Sequence, residues 1–147
     1  MKLIPISEHP DAARILYDLL AERPPEASIS HKKMPTWEEH LAFIASDPYW
    51  SWYLIQNAAG IVGCVYLSYQ NEIGISIFRE FQGRGYGPEA VNLLIEEQGP
   101  IWNMHGGVSP WRANVNPRNA PSIRMFERLG FKLVREEPTQ TVYERAG

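Results

Sequence analysis

Short apolar runs, some alternating with polar residues, recur along the chain and predict seven β-strands. They cover residues 2–6, 52–56, 61–68, 72–78, 111–115, 131–135 and 141–145. The second, third and fourth runs are separated only by the turn-forming segments 57–60 and 69–71. Because strands joined by such short connections pair antiparallel, this part of the chain is expected to form an antiparallel meander.

Two helices are predicted in the first third of the chain. The first opens at Pro10 and Asp11 and stops at Arg23 and the two prolines after it, since proline cannot continue the hydrogen-bond ladder. Its apolar residues have the three-and-four spacing of one buried face, at Ala12, Ile15, Leu16, Leu19 and Leu20.

The second helix is expected over residues 37–45, because Thr36 and Glu39 match a capping box. Its apolar spacing predicts that it buries Trp37, Leu41 and Ile44, with His40 packed rather than reactive.

Two further helices are predicted on either side of the fifth strand. One covers residues 89–98, with Pro88 at the first helical position, where its missing N–H is no loss. The other runs from the caps around Asn119 to about residue 129, and Gly130 follows as the left-handed terminating residue.

The segment between the fourth strand and the third helix reads QGRGYGP, from Gln82 to Pro88. Its three glycines, at 83, 85 and 87, permit positive φ and let a ligand approach the backbone. A helix N-terminus with such an approach is suited to an anion, most often a phosphate. The dinucleotide fingerprint and the P-loop are disfavoured, because the glycine spacing differs and no Gly-Lys-Ser/Thr is present.

Composition limits the remaining possibilities. The 147 residues, 44% hydrophobic and 21% charged, are those of one globular domain, expected to span 1–147. A net charge of -3 argues against general nucleic-acid binding. The single cysteine, Cys64, lies in an apolar run and is expected to be a core residue. No apolar run is long enough for a membrane span and no signal peptide is evident, so a cytoplasmic location is expected.

Two separated motifs resemble those of the GNAT superfamily, the Gcn5-related N-acetyltransferases. Gln82, Gly85 and Gly87 occupy the three defining positions of its Arg/Gln-x-x-Gly-x-Gly/Ala motif. Asn119, Ser122 and the run FERLGF at 126–131 match its second conserved segment. The resemblance implies an α/β (α+β) fold with a mixed, mostly antiparallel central sheet of six to seven strands flanked by about four helices.

The resemblance implies acetyl-CoA as the cosubstrate. Its pyrophosphate would be bound by the loop residues Gln82, Gly83, Arg84, Gly85, Tyr86 and Gly87, although Arg84 also suits a solvated surface position. Backbone groups of Ile75, Ser76 and Ile77 would bind the pantetheine arm, and one N–H would polarise the thioester carbonyl. Asn119, Ser122 and Phe126 would contact CoA from the last helix, and for Asn119 a simple helix cap remains the alternative.

Three residues are catalytic candidates, and no metal site is predicted. Glu72, at the start of the strand facing the thioester, is the first candidate for the general base. His31 is the second, because imidazole titrates near neutral pH. Many GNAT enzymes carry a tyrosine at the position of Phe126, where it protonates the departing sulfur, and phenylalanine has no proton to give. Tyr143 on the last strand is an alternative donor.

The acceptor is expected to be a small-molecule amine, such as an amino sugar or a nucleotide-linked amine. Basic residues, Lys32 and Lys33, precede the second helix, and the aromatic residues Tyr49, Trp50 and Trp52 follow it. Protein N-termini and lysines remain open as acceptors, as does a non-catalytic CoA-binding module. No nucleic-acid or membrane partner is expected, and a homodimer is left open.

Overall fold

The computed structural model describes residues 1–23, 33–102 and 104–146. Within them, four α-helices and seven strands alternate in the order β1, α1, α2, β2, β3, β4, α3, β5, α4, β6, β7. The helices are α1 (Ala12–Glu22), α2 (Trp37–Ala45), α3 (Tyr86–Gln98) and α4 (Ala120–Arg128). The strands are β1 (Lys2–Pro5), β2 (Ser51–Asn57), β3 (Gly60–Leu67), β4 (Ile73–Ile77), β5 (Trp111–Val115), β6 (Lys132–Glu136) and β7 (Thr141–Arg145). All seven predicted strands and all four predicted helices are confirmed.

The strands form two antiparallel sheets. One has the order β1-β2-β3-β4, which contains the expected meander, and the other has the order β5-β7-β6. In the described residues, β4 and β5 meet only through an isolated parallel bridge between Glu72 and Arg112, where the Arg112 N–H donates to the Asn71 carbonyl at 2.9 Å. No further backbone pairing joins the two sheets within the described ranges, and a gap opens between β4 and β5.

Each face of the first sheet covers its own apolar core, because side chains alternate along every strand. On one face, Ile55, Val65 and Ile73 pack with Val91 and other residues of α3 and the second sheet. On the other face, Leu54 and Cys64 pack against Ala12, Leu16 and Leu19 of α1. The helices α1 and α2 therefore lie on the same side of the sheet as Cys64.

The capping box that opens α2 is confirmed. The Glu39 N–H donates to the Thr36 hydroxyl at 3.1 Å, and the Thr36 N–H donates to the Glu39 carboxylate at 2.8 Å. The prediction that Leu41 is buried is wrong, because this side chain is 40% exposed. His40 is packed, as predicted: it faces α1, where it is 2% exposed and bonded through Nε2 to the Ala13 carbonyl.

Helix α3 begins earlier than the sequence predicts. Gly85 is its N-cap in the left-handed region, with φ 81° and ψ 8°, and Tyr86 is the first helical residue. Pro88 is therefore the third helical residue and not the first. It is tolerated there because no N–H in the first turn has an intrahelical acceptor.

Helix α4 ends in a Schellman motif. The Phe131 N–H donates to the Phe126 carbonyl and the Gly130 N–H to the Glu127 carbonyl, both at 3.0 Å. Gly130 has a φ of 90°, as expected for the left-handed terminating residue. The rings of Phe126 and Phe131 complete the motif with an edge-to-face contact at 5.1 Å between centroids. This fixes the orientation of α4 relative to β6.

Candidate active site

A cavity of 1120 Å³ occupies the gap between the two sheets. It is lined by β4, the glycine loop, the end of β5 and α4, and it extends under α1 and α2. One continuous space thus reaches most of the residues that the sequence motifs single out.

The glycine loop forms one end of this cavity. Gly83 and Gly85 have φ of 78° and 81°, and a Cβ placed on either would meet no atom within 4 Å. Gly85 caps α3 without any side-chain hydrogen bond. The N-terminus of α3 therefore keeps its partial positive charge and its backbone donors available next to open space.

Gly87 is needed for a different reason than the one predicted. It is helical and does not have positive φ. A Cβ there would lie 3.1 Å from Met125 Sδ on α4. The absence of a side chain at Gly87 allows α3 and α4 to approach each other.

The polar residues of the loop have different surroundings. The Gln82 side chain donates to the Ile77 carbonyl at 3.1 Å, which ties the loop to the end of β4. Tyr86 lines the cavity. Arg84 lies over the Phe81 ring at 5.8 Å and is not part of the cavity lining formed by the described residues.

Strand β4 is the last strand of its sheet, and the edge that it presents to the cavity is not paired with another strand over residues 73–77. At its two ends, the Phe78 N–H donates to Val62 on β3 at 2.9 Å and the Glu72 carbonyl accepts from Ser68 at 2.8 Å. Since backbone groups alternate sides along a strand, Ser76 directs its N–H and C=O toward β3. Ile75 and Ile77 direct theirs toward the gap, where the Ile77 carbonyl accepts from the Gln82 side chain. The backbone role expected for Ser76 is therefore corrected, and the free backbone donors are those of Ile75 and Ile77.

Helix α4 supplies the opposite wall of the cavity. Asn119, Ser122 and Phe126 all line it. The Asn119 side chain also caps the helix by accepting from the Ser122 N–H at 3.4 Å, so the alternative role considered for it is real. Phe126 is 3% exposed and held edge-on against Phe131.

Glu72 lies where the two sheets part, and its side chain lines the same cavity. Burial raises the pKa of its carboxyl above the ordinary value, while a hydrogen bond from Asn114 and the charge of Arg112 oppose that rise. Arg112 is itself paired with Glu144, with Nε and Nη2 at 3.2 and 3.1 Å from one carboxylate oxygen. A half-buried carboxyl with a raised pKa is suited to accepting a proton.

Neither of the other two catalytic candidates can be assigned to this site from the described residues. His31 lies outside the described residues. Tyr143 is 5% exposed in the apolar core, paired with Ala113 and Leu133 across the second sheet. It does not line the cavity formed by the described residues, because the register of β7 turns its ring into the core. The expectation of Tyr143 as a proton donor is therefore not supported.

Aromatic side chains form the wall of the cavity beside Glu72. The Tyr49 and Tyr66 rings are stacked at 3.8 Å with an interplanar angle of 10°, and the Trp52 ring meets Tyr49 edge-on at 4.8 Å. Tyr66 faces Gly74 across β3 and β4, and a Cβ on Gly74 would overlap its ring. Trp50, by contrast, is 62% exposed and does not line the cavity formed by the described residues.

Cys64 is buried in the sheet, as predicted, and also lines the cavity. Burial raises the pKa of its thiol to about 11. The thiol is therefore protonated at neutral pH and is unsuited to act as a nucleophile.

The residues of the cavity wall that sequence reasoning missed include Tyr66, Asn114, Arg124 and Arg128. A glycine inside a strand indicates that another group approaches the backbone closely. Gly74 could therefore have indicated that a large side chain, here the ring of Tyr66, lies against it. The two arginines are one helical turn apart, and this spacing puts them on one face of α4. Asn114 has no sequence signal, because only the separation of β4 and β5 exposes it.

Comparisons with known proteins agree with this geometry. A family model described as Acetyltransferase (GNAT) domain matches residues 1–132. A domain from Methanocaldococcus jannaschii has a TM-score of 0.78 at 24% identity, with 99% of both chains covered. An acetyltransferase from Thermus thermophilus has a TM-score of 0.73 at 24% identity, with 99% of this chain and 96% of that chain covered. The fold is therefore shared over nearly the whole chain.

A third similar structure is the Campylobacter jejuni N-acetyltransferase PseH in complex with acetyl coenzyme A. Its TM-score is 0.69 at 16% identity, with 99% of this chain and 97% of that chain covered. No curated protein sequence matches the chain significantly. Within the described ranges, none of the helices has the length and apolar character needed to cross a bilayer. From the family match over most of its length, the chain belongs to the GNAT acetyltransferase domain family and is an acetyl-CoA-dependent N-acetyltransferase.

Proposed function

We propose that the protein acetylates the primary amine of a small molecule, with Glu72 as the general base. The observation that carries the proposal is the position of Glu72. Its half-buried carboxyl lies on the same cavity as the glycine loop and the free edge of β4. A proton acceptor and the features suited to a thioester cosubstrate therefore share one enclosed space.

The residues at the loop end of the cavity fit acetyl-CoA. Gly83 and Gly85 leave room beside the N-terminus of α3 for a pyrophosphate, and that terminus favours negative charge by about 0.3–1 kcal/mol, or about 2 kcal/mol when partly buried. Arg124 and Arg128 add positive charge on the α4 wall. Acetyl-CoA, when bound, supplies an activated acetyl group as a thioester.

The free edge of β4 suits the reacting end of the cosubstrate. Ile75 and Ile77 direct backbone groups into the gap, where they can pair with an extended amide chain as a neighbouring strand would. An N–H fixed in this position also stabilises negative charge that develops on the carbonyl oxygen. Ser122 and Asn119 contact the same chain from α4 in this arrangement.

Glu72 accepts the proton that the amine must lose. The amine nitrogen bonds to the acetyl carbonyl carbon, the carbon–sulfur bond breaks, and CoA leaves as its thiolate. The proton from nitrogen passes to the Glu72 carboxylate, directly or through one water. Phe126 has no proton to supply, and none is essential, because a thiol with a pKa near ~8.5 is a tolerable leaving group.

An amino sugar or a nucleotide-linked amine is the acceptor class that we propose. Tyr49, Trp52 and Tyr66 offer ring faces and edges to a flat or cyclic acceptor, and Lys33 on the same cavity offers a positive charge to a phosphate. Such rings contribute both apolar contact and hydrogen-bonding groups. This combination distinguishes the proposed acceptor from an unsubstituted alkyl amine.

Isothermal titration of the purified protein with acetyl-CoA, with ATP and NAD as controls, is the first test. Selective acetyl-CoA binding is expected. Release of free CoA is then measured with glucosamine, its 6-phosphate, a nucleotide-linked amino sugar, and peptides with a free N-terminus or lysine. If CoA is released only with the peptides, the acceptor is a protein amine and not a small molecule. If acetyl-CoA binds but no amine causes release of CoA, the protein is a non-catalytic CoA-binding module.

A further inference from the structure

Asn114 lies on β5 at the point where the two sheets separate, and its side chain lines the cavity beside Glu72. Its Oδ1 atom is buried and has no hydrogen-bond partner among the described residues. Buried amide oxygens are nearly always satisfied, so an exception on a cavity wall points to a role outside the fold. The general base therefore has an unsatisfied acceptor next to it.

The orientation of the Asn114 amide follows from its contact with Glu72. The Asn114 side chain favours the ionised form of the neighbouring Glu72 carboxyl and is one of the two influences that oppose the rise in its pKa. An ionised carboxylate only accepts hydrogen bonds, so the amide must present Nδ2 to it. Oδ1, on the other branch of the same amide, is then the atom left for another donor.

Arg112, the cation nearest to Glu72 on β5, is already paired with Glu144. Arg112, two residues earlier on the same face of β5, directs both Nε and Nη2 to Glu144. The parallel bridge places Arg112 beside Glu72, and its charge lowers the pKa of the Glu72 carboxyl. We therefore expect the N–H that donates to Asn114 Oδ1 to belong to a molecule bound in the cavity.

We propose that Asn114 Oδ1 and the Glu72 carboxylate together bind the acceptor nitrogen, so that Asn114 makes the enzyme selective for primary amines. The inference rests on the proposed function, since it assigns the acceptor to this end of the cavity. A neutral primary amine has two N–H groups, one for Glu72 to deprotonate and one for Asn114 to hold. A secondary amine has one, so it satisfies Glu72 only by leaving Asn114 unpaired.

Asn114 also orients the nucleophile. When one N–H of the amine is held by Asn114 and the other is directed at Glu72, the direction of the nitrogen lone pair is fixed as well. Restricting a reactant to a single orientation is a large source of rate in enzymes. Loss of Asn114 is therefore expected to raise KM for primary amines and to lower kcat, while acetyl-CoA affinity stays the same.

Amine binding to the CoA-loaded protein tests the inference without any turnover. The probes are tyramine, whose ring matches the aromatic wall, and N,N-dimethyltyramine, whose ammonium has a single N–H. Wild type is expected to bind tyramine about tenfold or more tightly than the dimethyl compound, the contribution of one hydrogen bond to a charged group. Asn114→Leu is expected to bind the two probes within about twofold of each other by the same reasoning.

Two further variants make the test independent of folding. Asn114→Asp keeps an acceptor oxygen and is expected to retain the preference for tyramine, whereas a purely structural role predicts that it fails as Leu does. Asn92→Leu, an exposed residue of α3, is the matched control and should behave as wild type. Thermal melts of each variant accompany the titrations.

The inference is overturned if wild type fails to bind tyramine or to discriminate between the probes, or if Asn114→Leu discriminates as wild type does. Discrimination in binding without acetyl transfer to any amine would keep the role of Asn114 and refute the proposed function instead. Acetyl transfer with equal KM values in wild type and Asn114→Leu would keep the function and refute the role of Asn114.

Discussion

Replacing Glu72 with glutamine is expected to change activity and stability in opposite directions. The amide of Glu72→Gln has nearly the same shape as the carboxyl but cannot take a proton at neutral pH. A positioned general base contributes about 10²–10⁴-fold to the rate, which is about 3–5 kcal/mol of activation free energy. Turnover should fall by that factor, while acetyl-CoA affinity is unchanged because the glycine loop and β4 edge are untouched.

The effect on stability follows from the pKa of Glu72. Burial raises this pKa above the ordinary value of 4.5, so the folded protein holds the proton more tightly than the unfolded chain does. The stability contributed by the protonated form is fully present below the ordinary pKa and is lost as the pH rises through the folded value. At neutral pH the charged carboxylate therefore opposes folding, and Glu72→Gln should raise Tm there and lose this advantage in acid.

Steady-state kinetics and thermal melts across pH 4–8 measure both effects on the same samples. Glu97→Gln, at an exposed position of α3, is the matched control and should change neither. A Glu72→Gln enzyme with the turnover and pH profile of wild type would show that Glu72 is not the base. A lower Tm than wild type at neutral pH would refute the account of its burial.

Three further predictions concern the loop, the second helix and the cysteine. Gly85→Glu places a negative side chain in the open space beside the N-terminus of α3 and should abolish acetyl-CoA binding in titrations. Gly60→Glu, at another glycine with positive φ but at the start of β3, should bind normally, and loss of binding in both would contradict the placement of the cosubstrate. Thr36→Ala removes the capping box of α2 and should lower stability by about 1 kcal/mol, seen as a fall in Tm of about 2–4 °C; no change would mean that α2 does not unfold with the rest of the domain. Cys64, with its pKa raised to about 11, should react with a thiol reagent at pH 8 about a hundredfold more slowly than a free thiol until the protein is unfolded; rapid reaction of the native protein would contradict its burial.

The strands were predictable because their signals are local. Apolar runs bounded by turn-forming residues locate β2, β3, β5 and β7 to within about two residues, the usual uncertainty of such boundaries. The start of α3 was missed because a left-handed glycine at position 85 caps it without a side-chain signature. In the nine-residue α2 the packed position of His40 was predicted correctly, whereas the burial of Leu41 was not, since packing on α1 sets the rotation of the helix.

The site residues, like the helices and strands, were predictable where the signal is local and not where it depends on tertiary packing. The motif residues that rely on backbone conformation, such as Gly83 and Gly85, lie at the cavity as expected. The residues that depend on strand register were less predictable. Tyr143 points into the core, and Ser76 pairs with β3 rather than facing the gap. The sequence did not predict that Asn114 lines the cavity, because its exposure to the cavity arises from the separation of the two sheets.

The contact between Tyr66 and Gly74 makes two positions on neighbouring strands interdependent. The ring covers the glycine and is held there by stacking on Tyr49. Any side chain introduced at 74 must displace the ring, so a mutant library that varies this position alone would mainly sample damaged cavity walls. Varying residues 66 and 74 together would instead allow a smaller side chain on β3 to be combined with a larger one on β4. Under the proposed function, acceptor preference can therefore diverge through paired substitutions that leave the backbone and the cosubstrate end unchanged.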